Sequence, residues 1–119
     1  MHIIVYYLVC ANVAWDVLSA VAIIIQWPVV ARWHTDMWMN ESDRKNKAAN
    51  VLMAWFVLSL GFARLATVMD SFAYKECGVL SYGIEGCFAL MGVATRMLRP
   101  YEGFAVALGS FVLLIALVV

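Results

Sequence analysis

Four long apolar stretches separated by short polar segments run along the chain. The first extends over about 3–27, and Pro28, which lacks an amide hydrogen and crowds the preceding turn, is expected to kink or end a helix there. The second covers about 48–69 and follows Asp43-Arg44-Lys45-Asn46-Lys47, with Ser42 or Asp43 placed to cap its N-terminus. The third covers about 76–95, after a polar turn over 70–75. The fourth covers about 103–119, after Arg99-Pro100-Tyr101-Glu102. Crossing a bilayer takes about 20 apolar residues in a helix. The last stretch, about 17 residues and so about 26 Å long, is slightly short. The pattern predicts an all-α, polytopic membrane protein. A single domain over 1–119 holds four transmembrane helices and no soluble domain.

Composition agrees. Of 119 residues, 66% are apolar and only 13% charged, with a mean hydropathy of +0.88. A soluble fold of this size has too little interior to hide that much apolar surface. The formal net charge is zero, so charge gives no sign of a nucleic-acid partner. The first stretch starts too early and runs too long for a cleaved signal peptide, so it reads as a retained span.

The cations set the orientation. With four spans, both termini and the 70–75 turn share one face, and the 33–47 and 96–102 loops share the other. Arg32, Arg44, Lys45, Lys47, Arg96 and Arg99 fall on the loop face, against Lys75 alone on the terminal face. Basic residues stay on the side of insertion, so the termini are expected on the opposite side. Trp27, Trp33, Trp38 and Tyr101 mark one interface, and Tyr6, Tyr7 and Tyr74 the other. Arg32, Trp33, Lys45, Lys47, Arg96 and Arg99 together form a candidate headgroup site for an anionic lipid, cardiolipin in a mitochondrial membrane. A plain positive-inside bias accounts for the same residues equally well.

Polar residues inside the spans carry the most information. At 100° per residue, Asn12, Asp16, Ser19 and Gln26 share one side of the first helix. Asn50, Ala54, Val57, Gly61 and Arg64 share one side of the second, and Gly78, Ser81, Glu85, Ala89 and Gly92 one side of the third. A charge facing mid-membrane lipid costs at least ~2.5–3.5 kcal/mol, so the stripes should face protein. Their small residues permit close helix approach. Counting the helical rise from the terminal face puts Arg64 about 8 Å deep, Asn12 and Glu85 about 14 Å, and Asp16 about 20 Å. The expected clasp is an Arg64–Glu85 pair completed by Asn12, or failing that a bond from Arg64 to Asn12 or Asp16. With Glu85 paired, Asp16 is left without a cation, as a candidate proton site. A pure register-fixing role, a proton or cation site and a ligand site for a pigment, quinone or lipid remain open readings.

Other motifs add little. Asn40-Glu41-Ser42 matches a glycosylation acceptor but lies in the basic loop, and it reads as chance. Cys10, Cys77 and Cys87 lie within spans as small helix residues, and His2 and His34 are isolated, so no metal site is expected. No nucleophile–base pair, metal cluster or phosphate-binding loop appears, so an enzyme is not expected, and no cofactor beyond a bound phospholipid.

Four spans with an acid midway along the first resemble the small multidrug resistance transporters, with Asp16 in the place of their first-helix acid. The Trp-containing motif of that family's third helix is missing from 77–87 here. Asn12, Trp55 followed by Arg64 and Asp70, and Glu85 resemble the ergosterol-biosynthesis scaffold family of four-helix endoplasmic-reticulum proteins, with a shorter spacing from Arg64 to Glu85. That second resemblance implies a non-catalytic protein that tethers partners. The expected function is an accessory or scaffold subunit of a larger membrane complex, its partners being other membrane subunits and anionic lipid. The alternative is a small proton-coupled transporter using Asp16. Such subunits are common in organellar energy-converting complexes. The mitochondrial inner membrane is therefore the favoured location, with the thylakoid or endoplasmic reticulum as alternatives.

Overall fold

Six helices form, and a computed structural model describes all of residues 1–119. In chain order they are α1 (Ile3–Ile24), α2 (Pro28–Thr35), α3 (Glu41–Arg44), α4 (Lys47–Met69), α5 (Ser71–Ala94) and α6 (Pro100–Val118). α1, α4, α5 and α6 are long and apolar enough to cross a membrane. The protein is an all-α, four-span integral membrane protein.

Local chemistry shifts several boundaries from the sequence expectation. α1 stops at Ile24 rather than near Trp27. Gln26 takes a left-handed φ of 61°, Gln26 N–H donates to the Ile23 carbonyl at 3.3 Å, and Trp27 N–H donates to the Ala22 carbonyl at 2.8 Å. This is a Schellman end, usually built on glycine. Pro28 then opens α2 at its first position, where the missing amide costs nothing. α5 ends the same way: Arg96 has φ 60°, and Met97 N–H donates to the Gly92 carbonyl at 2.9 Å.

Neither Ser42 nor Asp43 caps the second span. Both lie in the one-turn α3, and Asn46 caps α4 by accepting from Ala49 N–H at 3.2 Å. The expected turn over 70–75 is mostly helix. Asp70 alone separates α4 from α5, and its side chain accepts from Phe72 N–H and Ala73 N–H, both at 3.1 Å. The helix bends at Tyr74 (φ −122°, ψ 23°), and the Thr67 hydroxyl donates to the Tyr74 carbonyl at 2.7 Å. Gly78 makes this possible, since a Cβ there would sit 2.7 Å from the Thr67 hydroxyl.

α4 packs between α1 and α5, and α6 packs on α5. α1 and α6 barely touch, which leaves a cleft on that side of the bundle. At one end, Met1, His2, Ser71, Lys75 and Val119 border a common cavity, so the termini and the α4–α5 junction share a face. At the other end the two basic-side loops are tied together. Trp38 pairs with Leu98 in an antiparallel bridge, Met39 N–H donates to the Met97 carbonyl at 3.0 Å, and Arg99 N–H to the Met37 carbonyl at 2.8 Å.

Two buried apolar clusters hold the helices. Ala20, Ile23, Ala31, Trp38, Met53, Ala54, Val57 and Leu98 fill the loop end, and Val9, Tyr82 and Leu117 fill the terminal end. The outer surface carries exposed Leu18, Leu52, Phe62, Leu80, Leu108 and Ile115, as lipid contact requires.

Candidate functional site

The polar stripes of α1, α4 and α5 turn inward and meet between the two apolar clusters. Ser19, Ala54, Val57, Gly61, Gly78, Ser81, Ala89 and Gly92 are buried, as are Asp16 and Arg64. Gln26 departs from its stripe, because it sits exposed in the turn that ends α1.

Arg64 is the hub and has no exposed surface. Its Nη1 donates to Asp16 Oδ2 at 2.7 Å, its Nη2 to Glu85 Oε1 at 3.0 Å and its Nε to Ser81 Oγ at 3.1 Å. The guanidinium lies 4.0 Å over the Tyr82 ring, a cation–π contact on its remaining face. Ser110 on α6 donates to Glu85 Oε1 at 2.7 Å. The Tyr82 hydroxyl donates to Asn12 Oδ1 at 2.7 Å, and Asn12 Nδ2 reaches Asp16 Oδ1 at a long 3.4 Å. One network therefore joins all four spans.

Asp16 is not left without a cation. It makes the shortest bond to Arg64, and Asn12 serves Asp16 and Tyr82 instead of Glu85. Depth counted on Cα atoms overstated the separation. Helical side chains lean toward their own N-terminus. α1 and α4 run in opposite directions, so Asp16 leans toward the terminal face and Arg64 away from it. The two side chains close the gap between them. Gly61 adds to the approach, since a Cβ there would meet Asp16 Cβ at 3.1 Å.

Sequence reasoning missed Ser110 and Tyr82. Ser110 is the only polar side chain in 103–118, which is a usable signal. Tyr82 sits beside Ser81 on the inward face of α5, but as an aromatic residue it gave no polar signal.

Beside the network lies a cavity of about 320 Å³ that reaches both Asp16 and Glu85. Its walls include Trp15, Trp33, Phe56 and Phe88, with Ala105 and Gly109 at the α6 side. Phe56 and Phe88 pack at a tilt of 41° with ring centroids 4.8 Å apart, and Trp15 meets Trp33 edge-on at 6.2 Å. α2 packs back against α1, and its Trp33 forms part of one wall of this space. His34 on α2 also lines it. Burial lowers the imidazole pKa from its ordinary value, against the raising effect of the Glu85 charge. Its Nδ1 is buried without a partner.

The expected headgroup cluster divides. Arg32, Lys45 and Lys47 border one cavity, together with Arg44. Trp33 packs on Trp15 and lines the cavity beside the clasp instead, and Arg96 and Arg99 lie in the α5–α6 connection outside the basic cavity. Trp38 is buried, not interfacial: its indole N–H donates to Asn50 Oδ1 at 3.2 Å. No group of three or more His, Cys, Asp or Glu side chains is arranged to hold a metal ion. Comparison of the chain with family models, with curated proteins and with solved structures finds no match.

Proposed function

We propose that the chain is a non-catalytic scaffold subunit that binds a transmembrane helix of a partner in the cleft between α1 and α6. The observation that carries this reading is Gly109. A Cβ added at the other six glycines would meet a neighbouring side chain, whereas at Gly109 it meets nothing within 4 Å. Gly109 and Ala105, four residues apart, are exposed on α6 beside the cleft. Small residues in this spacing let a second helix approach closely, and packing of this kind drives helix association in lipid. The three inward stripes serve the bundle itself, which leaves α6 and the cleft as the surface for assembly. The scaffold family resembled at Asn12, Trp55, Arg64, Asp70 and Glu85 points the same way. The mitochondrial inner membrane is the first location we propose, with the thylakoid or the endoplasmic reticulum, the membrane of the resembled family, as alternatives.

A second reading rests on the charge count at the clasp. Two carboxyl groups share one guanidinium, and the Glu85 side chain keeps 21% of its surface exposed beside the cavity. Such an arrangement fits a proton-coupled site. Asp16→Asn separates the two. In a scaffold the amide keeps the shape and still accepts from Arg64, so assembly and phenotype persist. In a proton-coupled transporter the same change abolishes flux in proteoliposomes while the protein still folds. We expect tolerance. Loss of a measurable flux would overturn the scaffold reading.

A further inference from the structure

Where α1 ends and α4 begins, a second cavity of about 280 Å³ opens, and no acidic residue lines it. Arg32, Arg44, Lys45 and Lys47 contribute four cations to its wall. One of them is committed elsewhere, since Lys45 Nζ pairs with Glu41 at 2.9 Å. Arg44 is the most telling. Its Nε is buried and finds no acceptor in the chain, and no carboxylate pairs with its guanidinium, so its charge at the cavity wall is unneutralised. The wall is also built rather than incidental. Asn50 donates to the Arg44 backbone carbonyl at 2.8 Å while accepting from the Trp38 indole at 3.2 Å, which fixes the short α3 segment against α4. Below the cations the lining turns apolar, with Ile23, Ile24 and Val51 at the boundary of the spans.

We propose that this cavity binds the phosphate headgroup of an anionic lipid that carries two or more negative charges, with the lipid's acyl chains running down past Ile24 and Val51. Three uncommitted cations with no lining carboxylate leave a single phosphodiester under-neutralising the site. Arg44 offers the planar fork that suits phosphate oxygens. The apolar lower lining separates a lipid from a free anion of the same headgroup chemistry. This proposal does not depend on the scaffold reading, because it involves neither the clasp nor the α1–α6 cleft.

The test uses the full chain, delipidated in mild detergent and examined by native mass spectrometry. The probes are phosphatidic acid, phosphatidylglycerol, phosphatidylcholine and inorganic pyrophosphate. Phosphatidic acid should be retained in preference to phosphatidylglycerol, with phosphatidylcholine and pyrophosphate not retained. Arg32→Gln, Arg44→Gln and Lys47→Gln combined should weaken phosphatidic acid binding about tenfold or more, on the scale of basic residues meeting anionic lipid. Arg96→Gln with Arg99→Gln, on the same face but outside the cavity, should leave it unchanged. Arg44→Lys alone keeps the charge and loses the planar guanidinium fork, so it should weaken binding even if the triple variant fails to fold. Equal weakening by the Arg96/Arg99 pair would reduce the site to a diffuse basic face and overturn the proposal. So would phosphatidylglycerol binding as tightly as phosphatidic acid, or full affinity in Arg44→Lys. Pyrophosphate binding as tightly as phosphatidic acid would show a soluble-anion site and overturn the lipid assignment.

Discussion

Replacing Arg64 with leucine tests the polar clasp that joins the four spans. Arg64 makes three side-chain hydrogen bonds, two of them to carboxylates, from a position with no exposed surface. Its loss strands Asp16, whose side chain is 3% exposed, and Glu85, whose side chain is 21% exposed. Removing one partner from a buried ion pair costs about 3–5 kcal/mol. The Asp16 side carries more of that cost, because Glu85 keeps Ser110 as a donor and some access to the cavity. Arg64→Leu with Glu85→Leu should therefore recover only part of the loss, leaving Asp16 stranded. Adding Asp16→Leu should recover most of the remainder, because a matched apolar set needs no compensation. Glu85→Leu alone leaves a one-to-one Arg64–Asp16 pair and should cost about 1–3 kcal/mol, near the value of one charged hydrogen bond. The assay is equilibrium unfolding from mixed micelles with added sodium dodecyl sulfate, followed by helical circular dichroism and tryptophan fluorescence. A triple variant as unstable as Arg64→Leu would show that the three residues are not coupled. An Arg64→Leu protein within about 1 kcal/mol of wild type would refute the clasp outright.

Further outcomes follow from the same geometry. Single cysteines introduced at Ser42 and Ser71 in a cysteine-free background should label from opposite sides of the membrane, and same-side labelling would break the four-span topology. Gly78→Ala should destabilise the bundle by about 1–3 kcal/mol, the cost of overpacking, because the new methyl displaces the Thr67 hydroxyl that serves the Tyr74 carbonyl; an unchanged unfolding midpoint would show that this contact is unimportant. Gln26→Gly and Arg96→Gly relieve left-handed backbone at two helix ends, and each should be neutral to stabilising by up to about 1 kcal/mol after the entropy of glycine is set against the gain. A clear loss in either would show that the side chain matters more than the turn. The His34 pKa is lowered by burial, so the unfolded chain binds the proton more readily than the folded one. Stability should be full above the ordinary histidine pKa of about 6.5 and fall as pH drops below it. His34→Gln should flatten that dependence, and an unaltered pH profile would exclude His34 as its source.

The spans were legible because about 20 consecutive apolar residues have few other uses in a chain this short. The inward faces were legible too. A polar stripe at helical period has nowhere to go in lipid, and Asp16, Ser19, Ser81 and Arg64 all lie buried. The helix ends were harder. Gln26 and Arg96 occupy a conformation that glycine normally announces, so neither turn had a local signature. α2 was hidden because Pro28 reads as a stop and opens the next helix. That short helix then set Trp33 against Trp15 rather than beside Lys45 and Lys47. The Arg64–Glu85 pair was legible, whereas Asp16 ranked only as a fallback partner of Arg64, because depth was counted along the helix axes without the lean of the side chains. The split of the basic cluster is a matter of tertiary placement. Arg44 and Arg96 look alike in sequence, and only the Trp38–Asn50–Arg44 chain of hydrogen bonds sets one of them in a cavity.

The central claim is that α6 and the α1–α6 cleft hold a partner helix, and Gly109→Leu tests it most directly. The added side chain meets nothing within the chain at its Cβ, so the variant should unfold at the wild-type midpoint. Wild type and variant are purified by affinity tag in mild detergent, resolved on a native gel, and the bands are identified by mass spectrometry. The account predicts that wild type migrates with other membrane subunits in stoichiometric amount, and that Gly109→Leu, still folded, migrates without them. Wild type running alone, or a variant that keeps its partners, would contradict it.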